Sequence, residues 1–414
     1  MRHMCHAIFL LLALTGAWAK SGVAEAPQNA ERILKRMMDN EYVEPDSFSY
    51  NGVLEAWAYS GKPESLPKVK QIWQKMEQLY ADAEGQENVQ KNPIKPTIRT
   101  VNTIIQAHSK RVQKLVEARD LEGARKTARE AEEFLELMKE RYEQSKDPDH
   151  MPDVMTYTTV MDAFGKCGRY HSTLKAQALL EELKDLYEKS GRSNPKLKPN
   201  VRTYTSLIAA WSKTRSSDSP AEAERLLAEM EASDDPEVQP NARSYTAVIN
   251  TWGRSADHTK AQRTLKILQT MKEKAKATGR KDAAPTLISY NACLDACARC
   301  QGNLDQQTAA LKIAFAVLKA IQLDPTMEAN ALTYATLLRA ISFLLEPGEQ
   351  RNQVAKVVFG KAVKAGMVDF RVMLQLKKSV DASTLQQLLE GVPQDRNGNF
   401  DFNEIPPDWN RNVR

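Results

Sequence analysis

Apolar residues recur along the chain in a pattern that returns every 41 to 56 residues. Seven segments carry an anchor residue, apolar residues three and four positions later, a small residue at the sixth position and, in most segments, a bulky one at the seventh. The anchors are Tyr50, Val101, Tyr157, Tyr204, Tyr245, Tyr290 and Tyr334. These offsets place the apolar residues on one side of an α-helix. Each segment therefore predicts an amphipathic helix.

A second, more charged helix follows each of these segments. The stretches Ala124–Tyr142 and Pro220–Ala232 place apolar residues at helical spacing among many charged ones. Five units then close with a proline, namely Pro96, Pro152, Pro199, Pro240 and Pro285. A single pair of helices cannot bury its apolar side, so the pairs must stack on one another. The sequence therefore predicts an all-α fold, a right-handed α-solenoid of stacked helix-turn-helix repeats in a single elongated domain.

The repeats set the expected boundaries along the chain. We expect about seven repeats, at residues 47-97, 98-153, 154-200, 201-241, 242-286, 287-330 and 331-369. Residues 370-414 are expected to form a C-terminal cap helix and a tail. Residues 1-46 are expected to form a degenerate N-terminal repeat or cap.

Two interpretations of the N-terminus stay open. In a degenerate repeat, Leu11 and Leu12 take the anchor and the following position, and Trp18 lies between helices. Alternatively, the basic start, the apolar stretch 7–14 and the Ala-Trp-Ala sequence at 17–19 are typical of a signal peptide or targeting segment at 1-19.

Composition narrows the class of protein. The 414 residues include 58 Lys and Arg against 53 Asp and Glu, and 42% are hydrophobic, so the chain is neither disordered nor strongly basic. Five cysteines in this length do not make a disulfide framework. No stretch reaches the roughly 20 apolar residues of a membrane span, so no membrane partner is expected.

The repeats resemble the pentatricopeptide repeat (PPR) family. The shared pattern is V-x-T-Y-[NT]-x-[LV]-[IM]-x-[AT]-[WF]-x-[KR], then A-x-x-[LI]-[LF]-x-x-M, then K-P-[ND], and it is clearest in the segments that begin at Val154 and Val201. The resemblance covers about residues 47–369, although the units here are longer than is usual in the family. It implies an α-solenoid that binds single-stranded RNA of organelles, with about one base per repeat.

The resemblance assigns a role to two polar positions in each repeat. In the family, one polar side chain follows the anchor, another follows the closing proline, and the two together recognise one base. In this chain the pairs are Asn51/Thr97, Asn102/Asp153, Thr158/Asn200, Thr205/Asn241, Thr246/Thr286 and Asn291/Asn330. By resemblance, Asn/Asp favours uracil, Thr/Asn adenine and Asn/Asn a pyrimidine. The implied sequence is 5′-(Y)-U-A-A-(R)-Y-3′, in which the family's pairings do not assign the bracketed bases.

Helix capping offers another explanation for the residues that follow the prolines, because Asn, Thr and Asp are favoured at helix N-caps and in turns. Capping explains nothing at the position after the anchor, which lies inside the helix, where Asn and Thr are poor helix formers. The last repeat carries Ala335 at that position and lacks a closing proline, so it resembles a cap.

A basic residue stands nine positions after the anchor in five consecutive repeats. These residues are Lys110, Lys166, Lys213, Arg254 and Arg299. In a stack of repeats they predict a charged row beside the base-recognising pairs, which suits the phosphates of RNA. Two positions before their anchors, Arg99, Arg202 and Arg243 either stack on bases or cover the surface.

Other motifs indicate no catalysis and no cofactor. Cys293, Cys297 and Cys300 have the spacing of a cluster-binding motif, but they fall inside a predicted helix at repeat positions, which favours buried core thiols. The segment 395–401 is similar to a calcium-binding loop but has Phe400 and Pro406 where that loop requires Gly and Glu. No metal site is expected.

The sequence thus predicts a monomeric, sequence-selective protein that binds single-stranded RNA and acts on transcripts in a mitochondrion or plastid, through their stability, processing or translation. Protein partners are a further expectation. The alternative is a protein-binding helical-repeat scaffold of the tetratricopeptide type, which would lack the Tyr-[Asn/Thr] step and the basic row.

Overall fold

A computed structural model of the chain describes residues 17–18, 21, 23–40, 45–84, 94–394, 400–401 and 404–413. Regular structure within these residues is helical, apart from an isolated antiparallel bridge between Gln394 and Phe400. The predicted all-α fold of stacked helix pairs is confirmed. Leu11, Leu12 and the calcium-like residues 395–399 lie outside the described residues.

The chain divides into two compact units, Met1–Lys213 and Thr214–Arg414. The first unit contains α1 (Ala26–Met38), α2 (Ser47–Ser60), α3 (Ser65–Glu84), α4 (Ile98–Glu117), α5 (Leu121–Ser145), α6 (Val154–Lys166), α7 (Tyr170–Lys189), a 3₁₀ turn (Pro195–Leu197) and α8 (Val201–Thr214), whose last residue begins the second unit.

The second unit continues the alternation of helices. It contains α9 (Ser219–Ala232), α10 (Ala242–Arg254), α11 (Lys260–Thr278), a 3₁₀ turn (Lys281–Ala283), α12 (Leu287–Ala298), α13 (Leu304–Leu323), α14 (Ala331–Leu344), α15 (Glu349–Ala365), α16 (Phe370–Ser379), α17 (Ala382–Leu388) and α18 (Pro407–Asn410). No helix in the described part of the chain is both long and apolar enough to cross a membrane.

The helices that carry the anchors pack against one another inside each unit. In the first unit α2 contacts α4 and α4 contacts α6. In the second, α10 contacts α12, α12 contacts α14, and α14 contacts α16, which carries no anchor. The predicted apolar side of each of these helices is buried, since every anchor is at most 5% exposed. The more charged helices α3, α5, α7, α11, α13 and α15 pack against this inner layer.

Two glycines allow neighbouring anchor helices to approach closely. A Cβ atom at Gly165 in α6 would lie 2.7 Å from the Cβ atom of Ala210 in α8. In the second unit, a Cβ atom at Gly253 would lie 3.3 Å from that of Ala296. At both contacts, the small residue six positions after one anchor packs against a glycine eight positions after the anchor of the preceding repeat.

Trp18 and Trp409, described residues near the two ends of the chain, both pack on other helices. Trp18 is partly buried against the core that includes Tyr50 and Trp57, as the degenerate-repeat interpretation expects. That interpretation of residues 1-46 stays a prediction. At the other end, the Trp409 ring meets the Phe359 ring edge-on, and the Trp409 carbonyl accepts a hydrogen bond from Val368 N.

Candidate nucleic-acid interface

The second residue of each predicted pair is the N-cap of the next anchor helix; five of the six follow a closing proline, and Asn330 follows Ala329. Asp153 Oδ1 accepts a hydrogen bond from Thr156 N at 2.9 Å, and Asn330 Oδ1 accepts one from Thr333 N at 3.0 Å. Asn200, Asn241 and Thr286 cap their helices in the same way. Capping is therefore a real role of these residues, and their role in recognising bases stays a prediction.

A hydroxyl at the third residue of each helix, which we call the N3 hydroxyl, completes the cap. These residues are Ser49, Thr100, Thr156, Thr203, Ser244, Ser289 and Thr333, and all are fully buried. The N3 hydroxyl accepts a hydrogen bond from the N-cap backbone N–H, as Thr100 Oγ1 does from Thr97 N at 3.2 Å. The sequence motif contains this Ser or Thr before the anchor, but pattern alone did not show its role.

The N3 hydroxyl also contacts the residue after the anchor in the preceding repeat. Thr100 Oγ1 donates to Asn51 Oδ1 at 2.8 Å, and Thr333 Oγ1 donates to Asn291 Oδ1 at 2.8 Å. The hydroxyls of Thr158 and Thr203 lie 2.9 Å apart, and those of Thr246 and Ser289 lie 2.8 Å apart. Side chains on both sides of a repeat boundary therefore form one hydrogen-bonded cluster.

Two of the predicted pairs are in direct contact. Asn102 Nδ2 donates to Asp153 Oδ1 at 3.3 Å, and Asn291 Nδ2 donates to Asn330 Oδ1 at 3.4 Å. Three other pairs are joined through an N3 hydroxyl, namely Asn51/Thr97, Thr158/Asn200 and Thr246/Thr286. Thr205 lies in the first unit, whereas Asn241, its predicted partner, caps α10 in the second.

The Asn102 site has an unsatisfied acceptor. Asn102 is 8% exposed, and its Oδ1 atom is buried without a hydrogen-bond partner. The Thr156 hydroxyl, which would be the equivalent donor, instead donates to Asp153 Oδ1 at 2.9 Å. A buried acceptor without a donor costs about 1–3 kcal/mol, so a ligand N–H at this place would stabilise the site.

The basic residues of the first unit lie close to one another. Lys110 Nζ donates to the Tyr59 carbonyl at 3.2 Å and lies 4.5 Å from the centre of the Tyr59 ring. Burial, and then the positive charge of Lys166, lowers the pKa of Lys110. Lys166 donates to Ser109 Oγ at 2.8 Å and pairs with Asp162 at 2.7 Å. Lys213, the third basic position of the row and the last in this unit, is exposed.

The basic residues of the second unit form a separate group. Burial, and then the charges of Arg215 and Arg299, lowers the pKa of Arg254. Arg299 is half-exposed and pairs with Asp295 at 2.7 Å, one helical turn earlier. Lys166 thus acts on Lys110 in the first unit and Arg299 on Arg254 in the second, while the continuous basic row and its phosphate-binding role stay predictions.

The position two residues before the anchor carries exposed side chains, of which the sequence analysis considered only the arginines. Phe48, Met155, Ile288 and Leu332 are apolar yet 42–71% exposed. Arg99 takes this position in the second repeat, pairs with Glu55 at 2.9 Å and lies 5.8 Å from the centre of the Phe48 ring. The sequence could have indicated these residues, because the position lies on the solvent side of the predicted helix, where an apolar side chain does not pack in the core.

The cysteines are core residues. Cys293 and Cys297 are fully buried and Cys300 is 5% exposed, and none forms a disulfide. Within the described ranges, no group of three or more His, Cys, Asp or Glu side chains is placed to hold a metal ion.

Comparison with known proteins agrees with this geometry. A family model described as a pentatricopeptide repeat domain matches residues 192–255 and 225–299. Two crystal structures of the pentatricopeptide repeat protein PPR10, both in complex with an 18-nt psaJ RNA element and one with three cysteines replaced by serine, match with a TM-score of 0.56 at 17% identity.

The match covers 92% of this chain and 44% of the PPR10 chain, so this chain spans less than half the length of that protein. A comparison with curated proteins finds no match. The resemblance to pentatricopeptide repeat proteins is confirmed, by sequence in residues 192–299 and by fold over most of the chain.

Proposed function

We propose that this protein binds single-stranded RNA by reading bases at its repeat boundaries and has no catalytic activity of its own. The observation that carries the proposal is the Asn102/Asp153 boundary, where two polar side chains from successive repeats meet and one buried acceptor has no partner. Single-stranded bases are distinguished by hydrogen bonds to their Watson–Crick edges, which requires such a juxtaposition of donors and acceptors.

The chemistry at this boundary fits uracil. Uracil presents one ring N–H between two carbonyl oxygens. Asn102 Oδ1 can accept a hydrogen bond from that N–H, and the Asn102 amide is held in one orientation because its Nδ2 donates to Asp153. An amide fixed in this way distinguishes a base with a donor from a base with an acceptor at the same place.

The exposed residues two positions before the anchors supply stacking surfaces. Phe48, Met155, Ile288, Leu332 and the arginines Arg99, Arg202 and Arg243 lie at the start of their helices, near the N-caps. Aromatic, apolar and guanidinium surfaces hold unstacked bases regardless of sequence. In this proposal they flank each base while the polar pair reads its edge.

The basic groups contact phosphates. Two like charges close enough to lower the pKa of Lys110 are unfavourable together, and an anion beside Lys110 and Lys166 relieves that repulsion. Neutralised phosphates release counterions, so binding weakens as salt rises.

The comparison with PPR10 supports the same class of ligand, since both matched structures contain RNA. By the same resemblance we propose that the targets are transcripts of a mitochondrion or plastid, and that binding affects their stability, processing or translation.

The test is a set of binding curves at several salt concentrations. The ligands are a single-stranded RNA that contains 5′-UAA-3′, the same RNA with U and A exchanged, and duplex DNA. We expect tightest binding to the first RNA and a linear fall of log affinity with log salt concentration. Binding to the RNAs that is no stronger than binding to duplex DNA would exclude this function and leave the protein-binding scaffold.

Two variants separate base reading from phosphate contact. Thr158→Asn combined with Asn200→Asp should move the preference at one base from adenine to uracil. Charge reversal at Lys166 and Lys213 should weaken binding to all RNAs alike and flatten the salt dependence. An unchanged base preference in the first variant would refute the assignment of that pair.

A further inference from the structure

The seventh repeat departs from the others at three positions that the RNA-binding proposal uses. Ala335 follows its anchor, so there is no polar side chain to read a base. The next helix, α16, has Val372 in place of the N3 hydroxyl. Phe343 stands nine positions after the anchor, where the five preceding repeats carry Lys or Arg. This repeat keeps the anchor Tyr334 and the helix, but it has lost the residues for base reading and for phosphate contact.

The Phe343 side chain is 67% exposed and borders an open pocket of about 540 Å³. The pocket lies in the second unit, between the end of α12 and helices α13 and α14. Arg299 and Arg339 line it, together with the amide side chains of Gln301 and Gln307. Its volume lies within the roughly 300–1,000 Å³ of small-molecule sites.

The pocket is positively charged and has an unsatisfied donor. Asp295 binds both arginines, by accepting from Arg299 Nε at 2.7 Å and from an Arg339 terminal nitrogen. One carboxylate against two guanidinium groups leaves a net positive charge. Arg339 Nε is buried without a hydrogen-bond partner, and the Arg299 side chain is 50% exposed. An anionic oxygen in the pocket would offset this charge and accept hydrogen bonds from the exposed Arg299 guanidinium.

The first repeat provides a contrast at the equivalent position. Tyr59 also stands nine positions after its anchor and is 50% exposed, but Lys110 lies over its ring. One face of the Tyr59 ring is therefore already covered by a cation. No cation lies over the Phe343 ring in the described part of the chain, so its face is open to the pocket.

We propose that this pocket binds one ribonucleotide unit of the RNA, with the base stacked on Phe343 and the phosphate on Arg299 and Arg339. The site rests on the proposed RNA-binding function and adds a nucleotide that is held without regard to its base. In this proposal the pocket holds the nucleotide next to the one that the last polar pair, Asn291/Asn330, recognises. An aromatic face accepts any base, and two guanidinium groups hold a phosphate by paired hydrogen bonds.

The experiment uses RNAs that differ by one nucleotide. A core RNA is extended singly at its 5′ end or at its 3′ end with each of the four bases, and Kd is measured by fluorescence anisotropy. For the wild type we expect one of the two extensions to tighten binding at least about fivefold with every base. Phe343→Trp should keep this gain and Phe343→Ala should lose it.

Two further variants serve as controls. Leu323→Ala removes a side chain that is 72% exposed and lies outside the pocket, so it should keep the full gain. Arg299→Gln should keep part of the gain and reduce its salt dependence, which a purely structural role would not do. An equal gain in Phe343→Ala and wild type, or no gain in either, overturns the proposal.

Free nucleotides distinguish failure of this site from failure of RNA binding. UMP and AMP are titrated into the wild type and Phe343→Ala by calorimetry. If the core RNA does not bind the wild type, the RNA-binding function fails, whereas nucleotide binding that Phe343→Ala abolishes still supports the pocket. If the core RNA binds but neither the extension nor the free nucleotides depend on Phe343, the pocket fails alone.

Discussion

Asn51 and Asn102 occupy the same position in the first and second repeats but have different partners. Asn51 Oδ1 accepts a hydrogen bond from the N3 hydroxyl of Thr100, whereas Asn102 Oδ1 has none because Thr156 donates to Asp153 instead. The two N-caps differ, since Thr97 stands where the next boundary has Asp153. A carboxylate is the stronger acceptor, so an acidic N-cap accepts the hydrogen bond that the N3 hydroxyl donates.

The difference shows how the two members of a pair influence each other. The N-cap residue acts on the asparagine of its pair partly through the N3 hydroxyl, a side chain that belongs to no predicted pair. Beside the acidic cap the amide oxygen has no donor within the protein, and beside the neutral cap it accepts the hydrogen bond of the N3 hydroxyl. Asp46 behaves like Asp153, because the Ser49 hydroxyl donates to it at 2.6 Å.

The largest expected effect concerns the stability of α4, the helix that carries Asn102. Burial lowers the pKa of His108 to about 4, and its Nδ1 lies 2.8 Å from the Ile104 carbonyl. In the unfolded chain this pKa is about 6.5, so below that pH the unfolded state binds a proton that the folded state excludes. Stability is therefore lost as pH falls from about 6.5 to about 4, by roughly 3 kcal/mol for this group.

Denaturant unfolding at pH 7 and pH 4 measures this loss. Between pH 7 and pH 4 the free energy of unfolding of His108→Phe should fall by roughly 3 kcal/mol less than that of the wild type, because Phe does not titrate. Phe should fit this place, since Phe164 fills the equivalent core position in the next repeat. His171→Phe, at an exposed position, should behave like the wild type. Equal acid sensitivity in His108→Phe and wild type would refute the assignment.

The next effect tests the N3 hydroxyls themselves. Thr156→Val removes a hydrogen bond to a carboxylate and should lower the free energy of unfolding by about 1.5–3 kcal/mol. Thr100→Val removes a donor from a neutral amide and should cost about 1–2 kcal/mol. Chemical denaturation of both variants measures the difference.

Val372 supplies the control for these substitutions, because it faces a boundary where Ala335 replaces the polar residue. Val372→Thr should gain a hydroxyl-to-carboxylate hydrogen bond with Asp369, the acidic N-cap of α16, and should couple little to Ala335→Asn. If Thr156→Val and Thr100→Val leave stability unchanged, the hydroxyls do not hold the boundaries.

Exchange of the two N-caps should give the smallest effect, about tenfold in affinity or 1.4 kcal/mol. Asp153→Thr frees the Thr156 hydroxyl to donate to Asn102 and should weaken binding to RNA with uracil at that repeat. In Thr97→Asp the Thr100 hydroxyl should donate to the new carboxylate and no longer to Asn51 Oδ1, which should raise the preference for uracil at the first repeat. Both replacements are good caps, so the folded state should change little.

The measurement is a competition between RNAs that differ at one base. Asp46→Thr is the matched control, because it changes an acidic cap and the degenerate-repeat interpretation of the N-terminus assigns Leu12, not a polar residue, to the position after the preceding anchor. A loss of uracil preference in Asp46→Thr as large as that in Asp153→Thr would show that the effect is general destabilisation.

Most of the fold followed from the sequence because the anchor pattern and the closing prolines are local signals. The pairs at the repeat boundaries were also found, as in Asn102/Asp153, since both positions are fixed relative to the anchor. The direction of a hydroxyl proton could not be predicted, because it depends on two acceptors from different repeats that meet only in the folded chain. The pocket at Phe343 was missed for a similar reason, since it needs Arg339 and the loop after α12 beside it.

The close contact between Gly165 and Ala210 has a consequence for how the gene can change. An insertion within an anchor helix would move these two residues out of register, whereas the segments between anchor helices already differ in length, as in the 25 residues of α5 and the 20 of α7. Natural insertions and engineered tags should therefore be tolerated in the outer helices and their loops. Under the proposed RNA-binding function, exchanging whole anchor helices between repeats should then change the RNA sequence that is bound.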